Sequence, residues 1–586
     1  MGLAGTAATL AVGGCATVPS SGVPVDYTQV AEPGDQVKPA EPAAGLSPAE
    51  VVRGFVNANA RIDQDPQLAA AAAYLTPEAQ QSWASSSQEV MVLVAPPRID
   101  PVAGEPGQVE ISGSTDGYLR VDGSFVTTPR SPYQVLVTVV QVDGEWRVDD
   151  PPPALIITSA DFNLAYTQRQ VYFLNSTQTL VVPDRRWLPN RSQYPATMAT
   201  DLIDRLMAGP SEPLAPAVIN LLADAKRRAP IVADADAGTL LIDLTGVTPS
   251  EGTTAAIAAQ VVYTLRADAA NIRLLVDGVP LDPGRAIWTS ATIGSFDPDV
   301  LPGSNSTAVQ GYYLTVTGAM HALRDDQPVW GSAGTDQLGS VKAAMSAAGD
   351  VAIVGQTTDT TQTIYLGSPR AEKAMDERMT ASWFTPPSFT RGGDEVWTVT
   401  GGDVVEVVRL LTAGGRYSVD SSSLAGLGVV ADLAVSPDGV HVAIVASNRI
   451  YLVAAVYTPG SEAAATGPGS TAALATLTTP ALLRNDLVVG RVVWEDSQNL
   501  LLAAQDTNNT YRSVWRIGLD GRQRAALSGR GIVADTDTMA ATPSLPLLIS
   551  SGGQILELDG DDSSGEWIPV QVGGETLSGP WPFYPG

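Results

Sequence analysis

Apolar and polar positions follow two different spacings along the chain, and the change between them predicts the architecture. Helical spacing comes first, with Val51, Val52, Phe55 and Val56 directly after the segment Ser47-Pro48-Ala49-Glu50. Serine at the N-cap, proline at the first helical position and glutamate at the third form a capping box, so a helix is predicted to begin here.

A second helix and then a run of strands are predicted before residue 150. Thr76-Pro77-Glu78 begins a helix that is expected to end near Trp83. Strand patterns follow over 90–94, 109–112, 133–142 and 145–148, with Asp143-Gly144 as the last turn. Two helices followed by a meander indicate an α+β domain over residues 46–155, and it resembles an NTF2-like cone.

The prolines at 151–153 cannot donate to a strand ladder, and a domain boundary is expected there. Over 160–290, strand and helix patterns alternate, which indicates an α/β domain. The strand patterns cover 170–174, 179–187, 240–244 and 272–276, and the helical patterns cover 195–208 and 250–266. Four patches, at 171–174, 206–210, 242–244 and 276–281, resemble the GerMN domain. This resemblance implies a small extracytoplasmic module and no particular reaction.

From about residue 310 the chain reads as strands and repeats itself. The segment LAGLGVVAD at 424–432 recurs as LSGRGIVAD at 527–535. Equivalent positions in the repeat are Ser346, Ser388, Ser436, Glu495 and Thr542. A period near 40–50 residues with several strands per unit predicts a β-propeller over 305–580, with about six blades and five or seven as alternatives. Strands from 311–323 and 567–572 are expected to join the two ends in one blade.

The charge balance narrows the possible functions. The chain has 586 residues, with 34 Lys and Arg against 62 Asp and Glu, and a formal net charge of −28. Such an acidic chain without a basic patch is not expected to bind nucleic acid. One cysteine and two distant histidines, His321 and His441, supply neither a zinc motif nor an obvious general base. We therefore predict no catalytic residues, no metal site and no cofactor.

The single cysteine, Cys15, ends a stretch of small and apolar residues. Residues 1–14 resemble the signal segment of a bacterial lipoprotein, which implies a diacylglycerol and an N-acyl chain on Cys15 and anchoring in the membrane. The alternative is a buried cysteine, but residues 15–45 are rich in Pro, Ser, Gly and Glu and are predicted to be a disordered tether. The first basic residue is Lys38, so either the true start codon lies further upstream or the interpretation as a signal segment is wrong.

Three other features are weighed against structural alternatives. Segments 426–431 and 529–534 match a GxGxxA nucleotide fingerprint, but a strand is predicted after each, so structural loops are favoured. The acidic run 559–562 is interpreted as a solvated turn rather than a calcium site. The tryptophans of the propeller region are interpreted mainly as packing between blades, and they are Trp330, Trp383, Trp397, Trp494, Trp515, Trp567 and Trp581.

The order of these segments resembles the LpqB family of actinobacterial lipoproteins over nearly the whole chain. The resemblance implies a non-enzymatic accessory protein, anchored by lipid at the extracytoplasmic face of the cell membrane. It also implies a partner, the extracytoplasmic domain of a sensor histidine kinase in an MtrAB-like two-component system, and a role in envelope and division physiology. The alternatives are a protein that binds or acts on cell-wall glycan, and a purely structural scaffold.

Overall fold

The computed structural model describes residues 42–586, except 63–67, 84–88, 191–193, 235–237, 301–309, 370–374, 402–405, 459–473, 507–510, 523, 528–534, 544 and 561–564. The predicted signal segment, Cys15 and most of the predicted tether lie outside the described residues. Within them, no helix has the length and apolar character needed to cross a membrane.

The first domain packs helices against a mixed sheet. Its elements are α1 (Pro48–Asn59), α2 (Ala69–Ala72), α3 (Pro77–Ser82), β1 (Val90–Leu93), β2 (Arg98–Pro101), β3 (Gln108–Leu119), β4 (Phe125–Thr127), β5 (Pro132–Val142), β6 (Glu145–Asp150), β7 (Leu155–Thr158) and α4 (Ser159–Ala165). The predicted capping box is present, because Glu50 accepts from the Ser47 backbone. After the prolines the chain returns to this sheet, since β7 pairs with β1 in parallel. The sheet therefore extends past residue 155.

The second domain has its apolar helix α6 at the centre. Its elements are β8 (Tyr166–Leu174), β9 (Val181–Pro189), α5 (Pro195–Ala208), β10 (Lys226–Arg227), β11 (Val232–Asp234), β12 (Thr239–Thr245), α6 (Thr254–Leu265), β13 (Asn271–Val276) and β14 (Val279–Pro280). Strands β12 and β13 pair in parallel, and α6 crosses between them. Ten consecutive residues of α6, from Ala256 to Leu265, are buried. The helix is therefore enclosed by protein on all sides.

The third domain is a succession of antiparallel sheets, as the repeat predicts. Its strands are β15 (Tyr312–Leu314), β16 (Met320–Ala322), β17 (Ser340–Met345), β18 (Val351–Thr358), β19 (Thr361–Gly367), β20 (Asp376–Ala381), β21 (Ser388–Phe389), β22 (Glu395–Thr400), β23 (Glu406–Leu411), β24 (Arg416–Ser418), β25 (Val430–Val435), β26 (His441–Ala446), β27 (Arg449–Thr458), β28 (Leu474–Leu477), β29 (Ala481–Arg484), β30 (Leu487–Trp494), β31 (Asn499–Asp506), β32 (Ser513–Gly518), β33 (Arg524–Ala526), β34 (Thr536–Ala540), β35 (Leu548–Ser551), β36 (Gln554–Asp559), β37 (Glu566–Pro569), β38 (Gln571–Val572), β39 (Glu575–Thr576) and β40 (Trp581–Phe583). The sheets are β17–β20, β21–β24, β25–β29, β30–β33 and β34–β37, and β15 and β16 form another with β40.

Hydrophobic clusters join these sheets into a closed ring. Each cluster contains buried residues from two successive sheets, and the cluster with Tyr313 and Leu548 joins the last four-stranded sheet to the sheet of β15. The ends of the domain meet where β40 pairs with β15, through Tyr312 opposite Phe583. The prediction that residues 567–572 close the ring is wrong, because β37 completes the last four-stranded sheet instead. Closure removes the exposed sheet edges of an incomplete ring.

Candidate functional site: the central channel and its mouth

A channel runs through the centre of the ring, and its walls are the inner strands of the sheets. The cavity within it has a volume of about 200 Å³ and is lined by residues of β17, β21, β25, β30, β34 and β40. Side chains tie these strands together. Trp494 Nε1 donates to the Ala434 carbonyl at 2.9 Å, and Trp581 Nε1 donates to the Ala343 carbonyl at 2.8 Å. The channel wall is therefore cross-linked by hydrogen bonds between neighbouring sheets.

One end of the channel is covered by the chain itself. Pro298 and Asp299, which follow the second domain, lie at this end together with Gly586, whose backbone N–H donates to the Met345 carbonyl at 3.0 Å. Asp299 accepts from the backbone N–H of Ser497 at 2.6 Å and from its hydroxyl at 3.0 Å. Burial, followed by the negative charge of Asp496, raises the pKa of Asp299 to about 6.

The other end, which we call the channel mouth, is formed where the inner strands begin. Its residues are Lys342, Trp383, Phe384, Val429, Val430, Ala431, Asn448, Gly490, Arg491, Arg512 and Asp537. Val440, Ser497 and Asp520, which contact the preceding part of the chain, are not part of it, whereas Asn485 donates to the Thr128 carbonyl of the first domain from the turn just before β30. Val440 and Ser497 lie in turns just after inner strands, so the second domain meets the opposite end of the channel.

Three cationic side chains and the carboxylates near them set the charge of the mouth. The Lys342 ammonium donates to the Phe384 carbonyl, and burial, together with the positive charge of Arg491, lowers its pKa to about 8. Arg491 lies 3.9 Å from Asp432 and 5.1 Å from the centre of the Trp581 ring. Arg512 is exposed, and a Cβ built on Gly490 would lie 3.2 Å from its Nε. Its side chain therefore lies over the start of β30.

The negative charge at the mouth is largely enclosed. Asp432 is buried, and its carboxylate accepts backbone N–H groups of Leu433 and Val492, each at 3.0 Å. Burial raises the pKa of Asp432, while Arg491 opposes this effect. Asp537 is the exposed acid of the mouth. The mouth lining therefore has three cations and one carboxylate, and the carboxylates of Asp432 and Asp535 lie next to it, where Asp535 accepts the Arg512 backbone N–H at 2.8 Å.

Exposed valines lie in the mouth and near the starts of the inner strands. Val429 is 66% exposed in the mouth, and Val341 and Val488 are exposed at the starts of the inner strands β17 and β30. Val316 is also exposed, in the turn between β15 and β16 beside the start of β17, where a Cβ on Gly318 would lie 2.8 Å from the Ser340 nitrogen. Apolar side chains grouped on one face are typical of an interaction surface.

The three domains are fastened together on the other side of the ring, around Arg522 and Asp520. Asp520 accepts from the Trp187 indole N–H and lies 3.4 Å from Arg185, and both of these residues belong to β9. Arg522 donates to Asp116 at 2.9 Å in the first domain, and its guanidinium stacks 4.2 Å from the Phe162 ring centre. These contacts fix the ring relative to both preceding domains.

The other residues that the sequence analysis singled out lie apart from one another in the structure. His441 is buried and bonded to Asp438 at 2.7 Å, and His321 is bonded to Asp326 at 2.8 Å in a distant sheet. Residues 426–429 form a loop and 430–431 begin strand β25, as expected for a structural role, while 529–534 lies outside the described residues. Asp559 ends β36, and residues 561 and 562 lie outside the described part of the chain. Among the described residues, no cluster of His, Cys, Asp and Glu suits a metal ion.

The charged residues of the channel were missed, although the repeat contains a signal for them. The repeat also defines the position four residues before each of its equivalent residues. This position is occupied by Lys342, Phe384, Asp432, Arg491 and Thr538. An inner strand is enclosed by neighbouring sheets, so charges at its repeated positions must face the channel. Arg512 has no such signal, because it lies outside the inner strands.

Comparisons with known proteins agree with this architecture. Residues 41–163 match the model described as lipoprotein LpqB, N-terminal domain, and residues 318–585 match the lipoprotein LpqB beta-propeller domain. Residues 170–282 match the Germane model, described as sporulation and spore germination. The lipoprotein LpqB of Rhodococcus jostii (strain RHA1) is 27% identical over 99% of this chain and 97% of its own length. The lipoprotein LpqB of Mycobacterium ulcerans (strain Agy99) is 26% identical over 99% and 98%.

Solved structures are more distant. TolB from Acinetobacter baumannii is 14% identical, with a TM-score of 0.33 over 50% of this chain and 69% of that chain. A chain of a nidogen/laminin complex is 10% identical, with a TM-score of 0.33 over 47% of this chain and 97% of that chain.

Proposed function

Because the chain belongs to the LpqB family of lipoproteins, we propose that it is a lipid-anchored, extracytoplasmic binding protein that modulates a sensor histidine kinase. Its partner in this proposal is the extracytoplasmic domain of the kinase of an MtrAB-like two-component system. The protein acts by binding and not by catalysis. Through the kinase it influences envelope and division physiology.

The observation that carries this proposal is the position of the channel mouth. A ring closed by hydrophobic clusters presents one end of its channel, with exposed valines and cations, while the second domain contacts the opposite end. The junction at Arg522 and Asp520 fixes the ring relative to the other domains. The first domain contacts Asn485 and Asp486 beside this face, but the mouth residues Val429, Arg512 and Asp537 are exposed. A rigid, exposed mouth suits a docking role, because little conformational entropy is lost on binding.

The finer features of the fold support an arrangement in which the C-terminal ring presents the binding face and the preceding domains lie between the ring and the lipid anchor. We interpret the C-terminal ring as six blades, counting the sheet of β15, β16 and β40 as the blade that joins both ends. We interpret the first domain as NTF2-like, with α1 packed against a curved sheet. In this proposal Cys15 carries the diacylglycerol and N-acyl chains that hold the protein in the membrane.

A binding experiment with the kinase domain tests the proposed function. The full-length lipoprotein, purified in detergent, is immobilised, and the extracytoplasmic domain of the kinase from the same organism is passed over it. We expect saturable binding that an unrelated lipoprotein from the same membrane does not show. Equal retention by both lipoproteins, or no binding by either, would contradict the proposal.

The alternative of a glycan-binding or glycan-acting protein needs aromatic platforms and accessible carboxylates on one face. At the mouth, Trp383 packs against the neighbouring hydrophobic cluster, Asp432 is buried, and Asp537 is the one exposed carboxylate among the described lining residues. The described residues of the mouth therefore favour contact with a protein.

A further inference from the structure

The chemistry of the channel mouth identifies the kind of segment that fits it. We propose that the mouth binds an acidic polypeptide segment, whose carboxylates pair with Lys342, Arg491 and Arg512 and whose aliphatic side chains contact the surrounding valines. This inference deepens the proposed function, because it names the part of the partner that enters the site.

The first argument is the state of the three cations. Lys342 is bonded to a neutral carbonyl oxygen, and Arg491 lies 3.9 Å from a carboxylate that two backbone N–H groups also occupy. Asp535 accepts the Arg512 backbone N–H at 2.8 Å, and among the residues that the structure describes no carboxylate is bonded to the Arg512 guanidinium itself. Positive charge at the mouth is therefore only partly compensated, which favours an anionic ligand.

The second argument is the surrounding surface. The mouth lining holds Lys342, Arg491 and Arg512 against one carboxylate, Asp537, whereas acidic residues outnumber basic ones in the chain as a whole. Electrostatic complementarity of this kind selects among partners and accelerates their association. A purely ionic ligand such as phosphate would leave Val429, Val341 and Val488 in water. An acidic segment that also carries aliphatic side chains would cover them.

The third argument distinguishes a polypeptide from an acidic polysaccharide. Sugar rings pack on flat aromatic faces, and of the two aromatic side chains of the mouth Trp383 is half-buried and Phe384 is buried. The exposed apolar groups are valines, whose branched shape suits leucine or isoleucine side chains.

The direct test measures binding of a fluorescein-labelled peptide of alternating glutamate and leucine to the full-length lipoprotein by fluorescence anisotropy. The probe with lysine in place of glutamate is the first control. We expect the acidic peptide to bind and the basic peptide not to bind. Affinity for the acidic peptide should fall as salt is raised, because the contacts are accessible to ions.

Charge variants then locate the site. Arg512→Glu should weaken binding about ten-fold, since it removes one attraction and adds one repulsion at an exposed position. The matched control is Arg324→Glu, an exposed arginine of the same domain outside the mouth, which should leave the affinity unchanged. Asp537→Asn should strengthen binding about two- to three-fold, because it removes the exposed acid of the mouth. Melting temperatures of the variants confirm that each is folded.

Several results would overturn the inference. They are equal binding of acidic and basic peptides, no binding of the acidic peptide, or the same loss in Arg512→Glu and Arg324→Glu. Tighter binding of an oligomer of galacturonate than of the peptide would assign the mouth to glycan and also refute it.

Binding measurements with the extracytoplasmic domain of the kinase distinguish a failure of this inference from a failure of the proposed function. If the kinase domain binds wild type and Arg512→Glu equally well while the acidic peptide does not bind, the inference fails and the proposed function stands. If the acidic peptide binds with the expected specificity and the kinase domain does not bind at all, the proposed function fails and the inference stands.

Discussion

Arg522 should be a principal contact between the first domain and the ring, beside the bonds of Thr127 to the Asp520 carbonyl and of Asn485 to the Thr128 carbonyl. The Arg522 side chain is only 5% exposed and donates to Asp116 Oδ2 at 2.9 Å, to the Ser159 carbonyl at 3.3 Å and to Asn163 Oδ1 at 3.1 Å. Its guanidinium also lies 4.2 Å from the ring centre of Phe162. Arg522→Ala removes all of these contacts and leaves Asp116 without its cation.

The expected cost follows from the burial of the pair. Breaking a buried ion pair by removing one partner costs about 3–5 kcal/mol. The Asp116 side chain is 25% exposed and regains some hydration, so we expect a value near the lower limit, about 3 kcal/mol. Arg524→Ala is the matched control, because Arg524 is 39% exposed and its pair with Asp486 should contribute only about 0–1 kcal/mol.

Hydrogen exchange followed by mass spectrometry measures the effect locally, which suits a multidomain protein that need not unfold in two states. A loss of about 3 kcal/mol should accelerate exchange in α4 about a hundred-fold in Arg522→Ala, if exchange there requires opening of the junction. The Arg524→Ala protein should exchange like wild type. Equal exchange in both variants would refute the assignment of Arg522 as the fastening residue.

Three further predictions concern separate parts of the molecule. Asp438→Ala should lower the free energy of unfolding by about 3 kcal/mol, and with it the melting temperature. The reason is that Asp438 accepts hydrogen bonds from the buried backbone N–H groups of Val440 and His441 and from the His441 ring. An unchanged melting temperature would contradict this prediction. The pKa of Asp299 is raised from 3.8 to about 6, so the folded protein takes up a proton that the unfolded chain does not bind as pH falls from above 6 towards 4. The free energy of unfolding should therefore rise over this range, by at most about 3 kcal/mol. Asp299→Asn should remove this part of the pH dependence of unfolding, and a variant with the same pH dependence as wild type would refute the prediction. Cys15→Ala should move the protein out of the membrane fraction, and unchanged retention there would exclude the lipid anchor.

Local signals were the part of the fold that the sequence predicted well. The capping box at Ser47 and the helical stripe after it correspond to α1, and the segment 195–208 corresponds to α5. These elements depend on neighbouring residues alone, so no tertiary information is needed to find them.

Closure of the ring depended on information that local patterns do not contain. Strand β40 has only three residues, and one of them is Pro582, which cannot donate to a ladder. Its pairing with β15 joins residues about 270 positions apart, and such a contact is chosen by the geometry of the whole ring. The segment 567–572 has a stronger strand pattern, but β37 is the partner of β36.

The candidate site was predictable only in part for the same reason. Lys342, Asp432 and Arg491 occupy one repeated position, so the repeat places them at one level of the channel. Arg512 reaches the mouth from the segment just before β32, against the Gly490 backbone, and this approach becomes visible only when the sheets are assembled.

The central claim is that the channel mouth is the face through which this lipoprotein meets the kinase. A photoreactive amino acid placed at Val429, in the mouth, tests it in living cells, with Val232 as the matched position because it is also exposed but lies in the second domain. The account predicts a crosslink from position 429 to the extracytoplasmic domain of the kinase, identified by mass spectrometry, and none from position 232. Crosslinks to the kinase from both positions alike, or from neither, would contradict it.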